Sequence, residues 1–309
     1  MRTPAISVVV LTYEYPRALD AVLRALDDQS DDDFEVVVTD DGSGPETAEV
    51  VERWGRAFGE RLRHVHQTHL GARVARARNL GAASARGAYL AFLDGDCVPR
   101  RHLVGALRRS SVSGWFAATY RFDLPRDLTG AVLDEQPPVQ RWNAAGWARR
   151  LGRRGAGSLW WLTPRDRRRV GREREAELGP PLNNFGFVFL SRADLERVNG
   201  YDMRYVDWGG EDHDFAIRLR RSGLRCGWPG PRADLFHLWH ESRKDTPLVQ
   251  GDAQGHGRER PDRGGGRPAR AGRRARRGSA ERVAGRRVEP VERAGEAKAS
   301  LGQRRERGG

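Results

Sequence analysis

Residues 1 to 105 predict an open, doubly wound α/β sheet, and three features carry that prediction. Apolar runs of strand length alternate with stretches whose apolar residues recur at helical spacing. Acidic pairs close two of those runs, Asp40 with Asp41 and Asp94 with Asp96. A chain of 309 residues is long enough for a real core, and it holds no stretch approaching the roughly 20 apolar residues that span a bilayer.

The elements follow in order. "ISVVVL" (6–11) reads as a buried strand, and Pro16 then opens a helix with Leu19, Val22, Leu23 and Leu26 on one face. "FEVVVTD" (34–40) is a second buried strand. "SGPE" (43–46) has the capping-box pattern and starts a helix with Val50, Val51, Trp54 and Phe58 inward. A short strand around "LRHVH" (62–66), a helix from about Gly71 to Ala85 and a fourth strand, "AYLAFLD" (88–94), complete the run. Alternation at this length implies parallel strands joined by right-handed crossovers. Ligands of such sheets sit beyond the carboxyl ends of the strands, where both acidic pairs lie.

Composition sets the context. The N-terminus reaches its first strand too quickly to hold a signal peptide, and Cys97 and Cys226 stand apart without metal-type spacing. A cytoplasmic protein with reduced thiols is expected. The net charge is +13, but about nine of those charges fall after Leu248, in an Arg- and Gly-rich tail without aromatic residues. Such a tail cannot bury enough apolar surface to offset its ordering entropy and is expected to be disordered. It could grip nucleic acid or an anionic membrane. Lysine is nearly absent while arginine abounds, the signature of a GC-rich gene. An unselected or frameshifted tail therefore ranks ahead of a nucleic-acid arm.

The acidic pairs suit a particular chemistry. "DGD" (94–96) places two hard oxygen ligands on a tight turn, with Gly95 permitting close approach of a ligand. Beside a diphosphate, two such ligands suit Mg2+ or Mn2+. The alternative is an ordinary Asp-Gly turn. Asp40 or Asp41 could accept from a uracil imide or ribose hydroxyls, or cap the helix that follows.

"ISVVVLTYEYPRAL", "FEVVVTDDGSGPETAEVV" and "GARVARARNLGAASARGAYLAFLDGDC" together resemble the nucleotide-binding half of the family 2 glycosyltransferases. The resemblance covers about residues 5–105 and implies the GT-A fold, a Rossmann-like mixed sheet with helices on both faces. It also implies a nucleotide-sugar donor, a divalent metal on Asp96 with Asp94 nearby, and nucleotide contacts from Thr12, Tyr13, Asp40 or Asp41, Asp94, Arg78 and Asn79. One departure is Cys97, where many relatives carry a further acidic residue.

A second segment, "DWGGEDHDFAIRLRRSGL" (207–224), resembles the catalytic region of these enzymes and of the beta-1,4-galactosyltransferases. Gly209 and Gly210 permit a tight approach. Glu211 and Asp212 start a helix with Phe215 and Leu219 on one face, and the helix dipole should keep a first-turn carboxylate ionised. The resemblance assigns Asp212 as general base, with Glu211 and Trp208 shaping the acceptor or sugar pocket, where a tryptophan suits the apolar face of a pyranose. Asn183 or Asn184, in "LNNFGFVFLSRADLERVNGYD" (182–202), contacts the acceptor or forms a turn before a buried strand. In "LFHLWHESR" (235–243), strand alternation sends His237 and His240 to opposite faces, so one of them should reach the metal. The family pattern has a metal-binding histidine here, and His237 is preferred over His240.

Residues 141–170 mix Trp and Arg in a way that fits sugar stacking, an acidic acceptor, a membrane surface or a solvated insertion. The sequence thus predicts a catalytic domain over 1–247, with a nucleotide-binding half to about 105 and an acceptor and catalytic half over 106–247. The tail is 248–309. The activity expected is inverting, metal-dependent transfer from a nucleotide-sugar, taken as a UDP-sugar, to a saccharide or other hydroxyl acceptor. The rivals are a nucleotidyltransferase using the same metal turn and a nucleic-acid-binding protein acting through the tail.

Overall fold

The computed structural model describes residues 5–135, 137–142, 146, 187–207 and 209–241. Asn183, Asn184, Trp208 and the tail lie outside the described residues.

Four strands, β1 (Ile6–Thr12), β2 (Phe34–Asp40), β3 (Leu62–His66) and β4 (Tyr89–Asp94), are parallel, as the alternation predicts. Beyond β4 the sheet turns mixed. β8 (Phe187–Ser191) runs antiparallel to β4, then β6 (Trp115–Ala117) antiparallel to β8, and β9 (Arg225–Gly227) closes the order β3-β2-β1-β4-β8-β6-β9. Alternate residues of each strand enter two separate cores. Val8, Val10, Val36, Val38, Ala91 and Leu93 pack with helices α1 (Pro16–Asp27), α2 (Pro45–Phe58), α4 (Leu103–Arg109) and α5 (Arg126–Asp134). Val9, Val37, Leu90 and Phe92 pack with α3 (Val74–Ser84), α6 (Arg192–Arg197) and α7 (Glu211–Arg221). Helices on both faces are therefore a direct consequence of unbroken apolar strands. Among the described residues no helix is long and apolar enough to cross a membrane.

A second, three-stranded sheet holds β10 (Leu235–His237) between β5 (Cys97–Pro99) and β7 (Arg121–Asp123). Its register sets His237 opposite Cys97 on one side and Asp123 on the other. The chain leaving β10 is tied back to the acidic turn, because Leu238 N–H donates to the Asp96 carbonyl at 2.9 Å.

The capping box is not formed. The N-cap of α2 is Gly44, with Pro45 in the first turn and no side-chain cap. Ser43 Oγ instead accepts the Glu14 N–H at 2.9 Å, while Glu14 Oε1 accepts the Gly44 N–H at 2.8 Å. These bonds join the loops after β1 and β2. Proline at the start needs no N–H partner, which leaves the serine hydroxyl available to the neighbouring loop.

Candidate active site

The register puts Thr12 beside Asp40 and Leu11 beside Asp94, so the carboxyl ends of β1, β2 and β4 form one edge. The "DGD" turn is pinned there: Gly95 N–H donates to the Leu11 carbonyl at 2.7 Å, and a Cβ at Gly95 would stand 2.6 Å from that oxygen. The close approach this glycine permits is to β1, where the sequence suggested a ligand.

Asp94 and Asp96 face different partners. Asp96 Oδ2 lies 3.5 Å from His237 Nε2 and 3.4 Å from His240 Nε2. Both histidines reach it, against the expectation from alternation, because β10 ends at His237 and the chain turns before His240. Their other nitrogens are engaged: His237 Nδ1 pairs with Asp123 at 2.9 Å, and His240 Nδ1 with the Glu241 carbonyl at 2.9 Å. That leaves both Nε2 atoms turned to Asp96, the arrangement by which outer partners fix histidine ligands. One carboxylate oxygen and two imidazole nitrogens lie within 4.8 Å of one another. This donor set fits a divalent cation of the Mn2+ type. Asp94, Asp96 and Cys97 also cluster, but burial pushes the Cys97 thiol well up, so it is a poor ligand.

Burial would raise the Asp96 carboxyl, but its hydrogen bonds to His237 and His240 hold it well below the usual range. His237 moves the other way. Burial opposes its charge, yet Asp123 and Asp96 raise it to about 9. Without a cation the cluster is an ion pair.

Asp94 faces Arg78. This arginine of α3 is 4% exposed. Its Nη2 donates to Asp94 Oδ1 at 2.9 Å, and its Nη1 donates to Asp212 Oδ1 and lies 3.5 Å from Glu211 Oε1. The two motifs, over a hundred residues apart, thus meet on one guanidinium. Glu211 and Asp212 occupy the first turn of α7, whose N-cap is Gly210 at φ 96°, following Gly209 at φ 105°. Both conformations favour glycine. Phe215 and Leu219 anchor the helix fully buried, each contributing about 1.5–3 kcal/mol. Phe215 stacks on Tyr201 at 3.9 Å, and Tyr201 packs edge-on to Phe92 of β4.

The helix dipole is not what sets the charge of Asp212. Three carboxylates share one guanidinium, and burial raises the Asp212 carboxyl to about 7 while Arg78 pulls it down and Glu211 and Asp94 push it further up. Desolvation outweighs a terminal dipole of about 0.3–1 kcal/mol.

The remaining predicted residues have partners inside the fold. Asp40 Oδ1 accepts the N–H groups of Gly42 and Ser43 at 3.1 and 2.8 Å, and its Oδ2 lies 3.3 Å from His64. It holds its own turn and does not cap α2. Asp41 accepts from Gln67 Nε2 and from the Arg73 N–H at 2.9 Å, closing the loop into α3. Thr12 is buried, and its carbonyl accepts the Asp41 N–H at 3.0 Å. Tyr13 stacks on His69 with centroids 4.2 Å apart. Asn79 bonds the Tyr201 backbone twice, through Nδ2 to the carbonyl at 2.8 Å and Oδ1 from the N–H at 2.9 Å. Both polar ends of its amide are engaged there. Sequence reasoning missed Asp123 and Tyr201. Tyr201 stood in the quoted "NGYD", but nothing local marks Asp123.

Residues 7–127 match the model for glycosyl transferase family 2, and residues 177–241 match one described as the N-terminal domain of galactosyltransferase. The fold is that of the GT-A glycosyltransferases, and residues 7–127 carry the family 2 glycosyltransferase pattern. Two validoxylamine A glucosyltransferases of Streptomyces hygroscopicus are among its relatives. The one from subspecies jinggangensis is 33% identical over 247 residues, covering 72% of this chain and 52% of its own. A chondroitin synthase of Pasteurella multocida is 26% identical, over 71% of this chain and 23% of its own. The chain spans about half the length of the glucosyltransferases it matches. Among solved structures, a mannosyltransferase from Pyrobaculum calidifontis in complex with GDP-Man and Mn2+ superposes with a TM-score of 0.54. It is 20% identical and covers 78% of this chain and 58% of its own. S. aureus TarS in complex with UDP-GlcNAc gives a TM-score of 0.53 at 15% identity, covering 77% and 59%. Both likenesses show the fold.

Proposed function

We propose that this chain transfers a sugar from a nucleotide-sugar, of the UDP-sugar class, to a hydroxyl acceptor with inversion, using a divalent cation and Asp212 as general base. One observation carries the reading: the turn at the end of β4 directs Asp96 to two histidines and Asp94 to the arginine that also holds Asp212. A cation-binding cluster and a candidate base thus adjoin on one edge of the sheet. Asp96, His237 and His240 would hold Mn2+ or Mg2+, which when bound neutralises charge on a departing diphosphate.

Asp212 takes the acceptor hydroxyl proton as the new bond forms at the anomeric carbon and the bond to the diphosphate oxygen breaks. A carboxyl near 7 is poised for this, since a general base works best with a pKa near the working pH. Glu211 shares the first turn of α7, and the reading gives it a contact to the acceptor or donor sugar. One displacement gives one inversion. The cytoplasmic location expected from the sequence belongs to the same proposal.

The test is a donor panel of UDP-glucose, UDP-GlcNAc and GDP-mannose with saccharide acceptors, read by nucleoside diphosphate release in Mn2+ and in EDTA. The product is then examined by NMR. Turnover that needs Mn2+ and a product of inverted anomeric configuration are expected. Retained configuration rules out the single displacement, and full activity in EDTA removes the cation.

A further inference from the structure

Arg78 is built into the molecule more firmly than a residue whose task is to meet a mobile ligand. Its guanidinium lies over the Tyr201 ring, 5.2 Å from the centroid. Asn79, the next residue of α3, grips the backbone of that same Tyr201. The ring stacks in turn on Phe215 of α7, three residues beyond Asp212. Arginine, platform and base-bearing helix therefore form one packed unit. Among the described residues, Arg78 is the side chain that hydrogen-bonds Asp212, and it does so while its other arm holds Asp94.

We propose that Arg78 is a positioning residue for Asp212: the planar guanidinium spans from Asp94 at the end of β4 to the first turn of α7 and fixes where the base stands relative to the donor edge. This rests on the glycosyl-transfer reading above. Two arms at a fixed angle let the guanidinium hold two carboxylates on different elements at a defined separation. An ammonium is a single point and cannot keep both. A misplacement of about 1 Å in a reacting group costs on the order of a hundredfold in rate, so a loss of this bridge should appear in turnover before it appears in nucleotide affinity.

The experiment compares wild type, R78K, D212N and R78K/D212N, all full-length. Each is assayed for kcat and both KM values with the donor identified by the panel, and for UDP binding by calorimetry in Mn2+. R78K should lower kcat about hundredfold while UDP affinity stays within a few-fold. The double variant should be no slower than D212N alone, because residues acting through one group are not additive. If R78K fails to fold, R78Q replaces it, and recovery of kcat in R78Q on adding millimolar guanidinium ion supports the proposal. Multiplying losses in the double variant, or a fall in UDP affinity that matches the fall in kcat, overturns it and makes Arg78 a nucleotide contact. D212N at the full wild-type rate removes Asp212 as the base and this proposal with it, an outcome distinct from additivity with an impaired D212N.

Discussion

Asp94 and Asp96 stand two residues apart on one turn, yet their carboxylates meet opposite chemistry. Asp94 meets a guanidinium, which keeps its charge at any pH a protein survives. Asp96 meets two imidazoles, which can each surrender a proton and become ligands. A permanent cation holds an oxygen of Asp94 at every pH, whereas a titratable one can give way to a metal. The reading proposed above therefore gives the metal to Asp96, although the "DGD" spelling treats the two alike.

The largest effect expected from this division is at Asp96. Asp96→Ala should lower sugar transfer by roughly a thousandfold or more, since charge on the leaving group is then uncompensated, and should abolish Mn2+ binding measured by calorimetry. The comparison breaks if Asp94→Ala costs as much Mn2+ affinity as Asp96→Ala does.

On the arginine side, Asp212→Asn keeps volume and much of the hydrogen bonding to Arg78 but removes the proton acceptor. Transfer should fall about hundredfold to ten-thousandfold while the donor still binds. An unimpaired variant moves the base elsewhere. A smaller effect sharpens the histidine side. Asp123→Asn weakens the bond that orients His237 and should reduce Mn2+ affinity about tenfold to a hundredfold, with kcat at saturating Mn2+ changed much less. Unchanged affinity would show that Asp123 does not orient the ring.

The two halves of this site were not equally legible. The apolar runs of β1, β2 and β4 and the acidic residues at their ends could be read directly, because a buried strand leaves a local pattern. The helix carrying Asp212 was legible for the same reason, through Phe215 and Leu219. What could not be read was pairing between distant elements. Arg78 finds Glu211 and Asp212 across 133 and 134 residues, and Asp123 finds His237 across 114. Only the assembled sheets set those partners side by side. Alternation failed for His240 because it assumes a strand that goes on, and β10 stops three residues earlier. The upward shift of Asp212 was not legible because a dipole can be read from a helix start, whereas burial comes from the whole fold.

The last and smallest effect tests the ion-pair character of the histidine cluster in the metal-free protein. His237 is raised from 6.5 to about 9 by Asp123 and Asp96 against the opposing effect of burial. A histidine raised on folding contributes stability that is fully present below about 6.5 and is lost as the pH climbs through about 9. The metal-free protein should therefore lose thermal stability between pH 7 and 10, at about 2–4 °C for each kcal/mol in a domain of this size. Asp96 is shifted the other way, so its share is present above the ordinary carboxylate range and fades only as acid protonates it. Saturating Mn2+ should remove the alkaline slope, because the metal needs the neutral imidazole and has already displaced the proton. At fixed Mn2+ the same linkage predicts tighter binding as the pH rises from 7 toward 9, with protons released on binding. Calorimetry of Mn2+ binding in buffers of different ionisation enthalpy counts those protons. His237→Gln should remove the larger part of both the melting slope and the release. His240 is raised as well, by its bond to Asp96, so a small remainder belongs to it, whereas a slope undiminished in His237→Gln would assign the effect to a group outside His237.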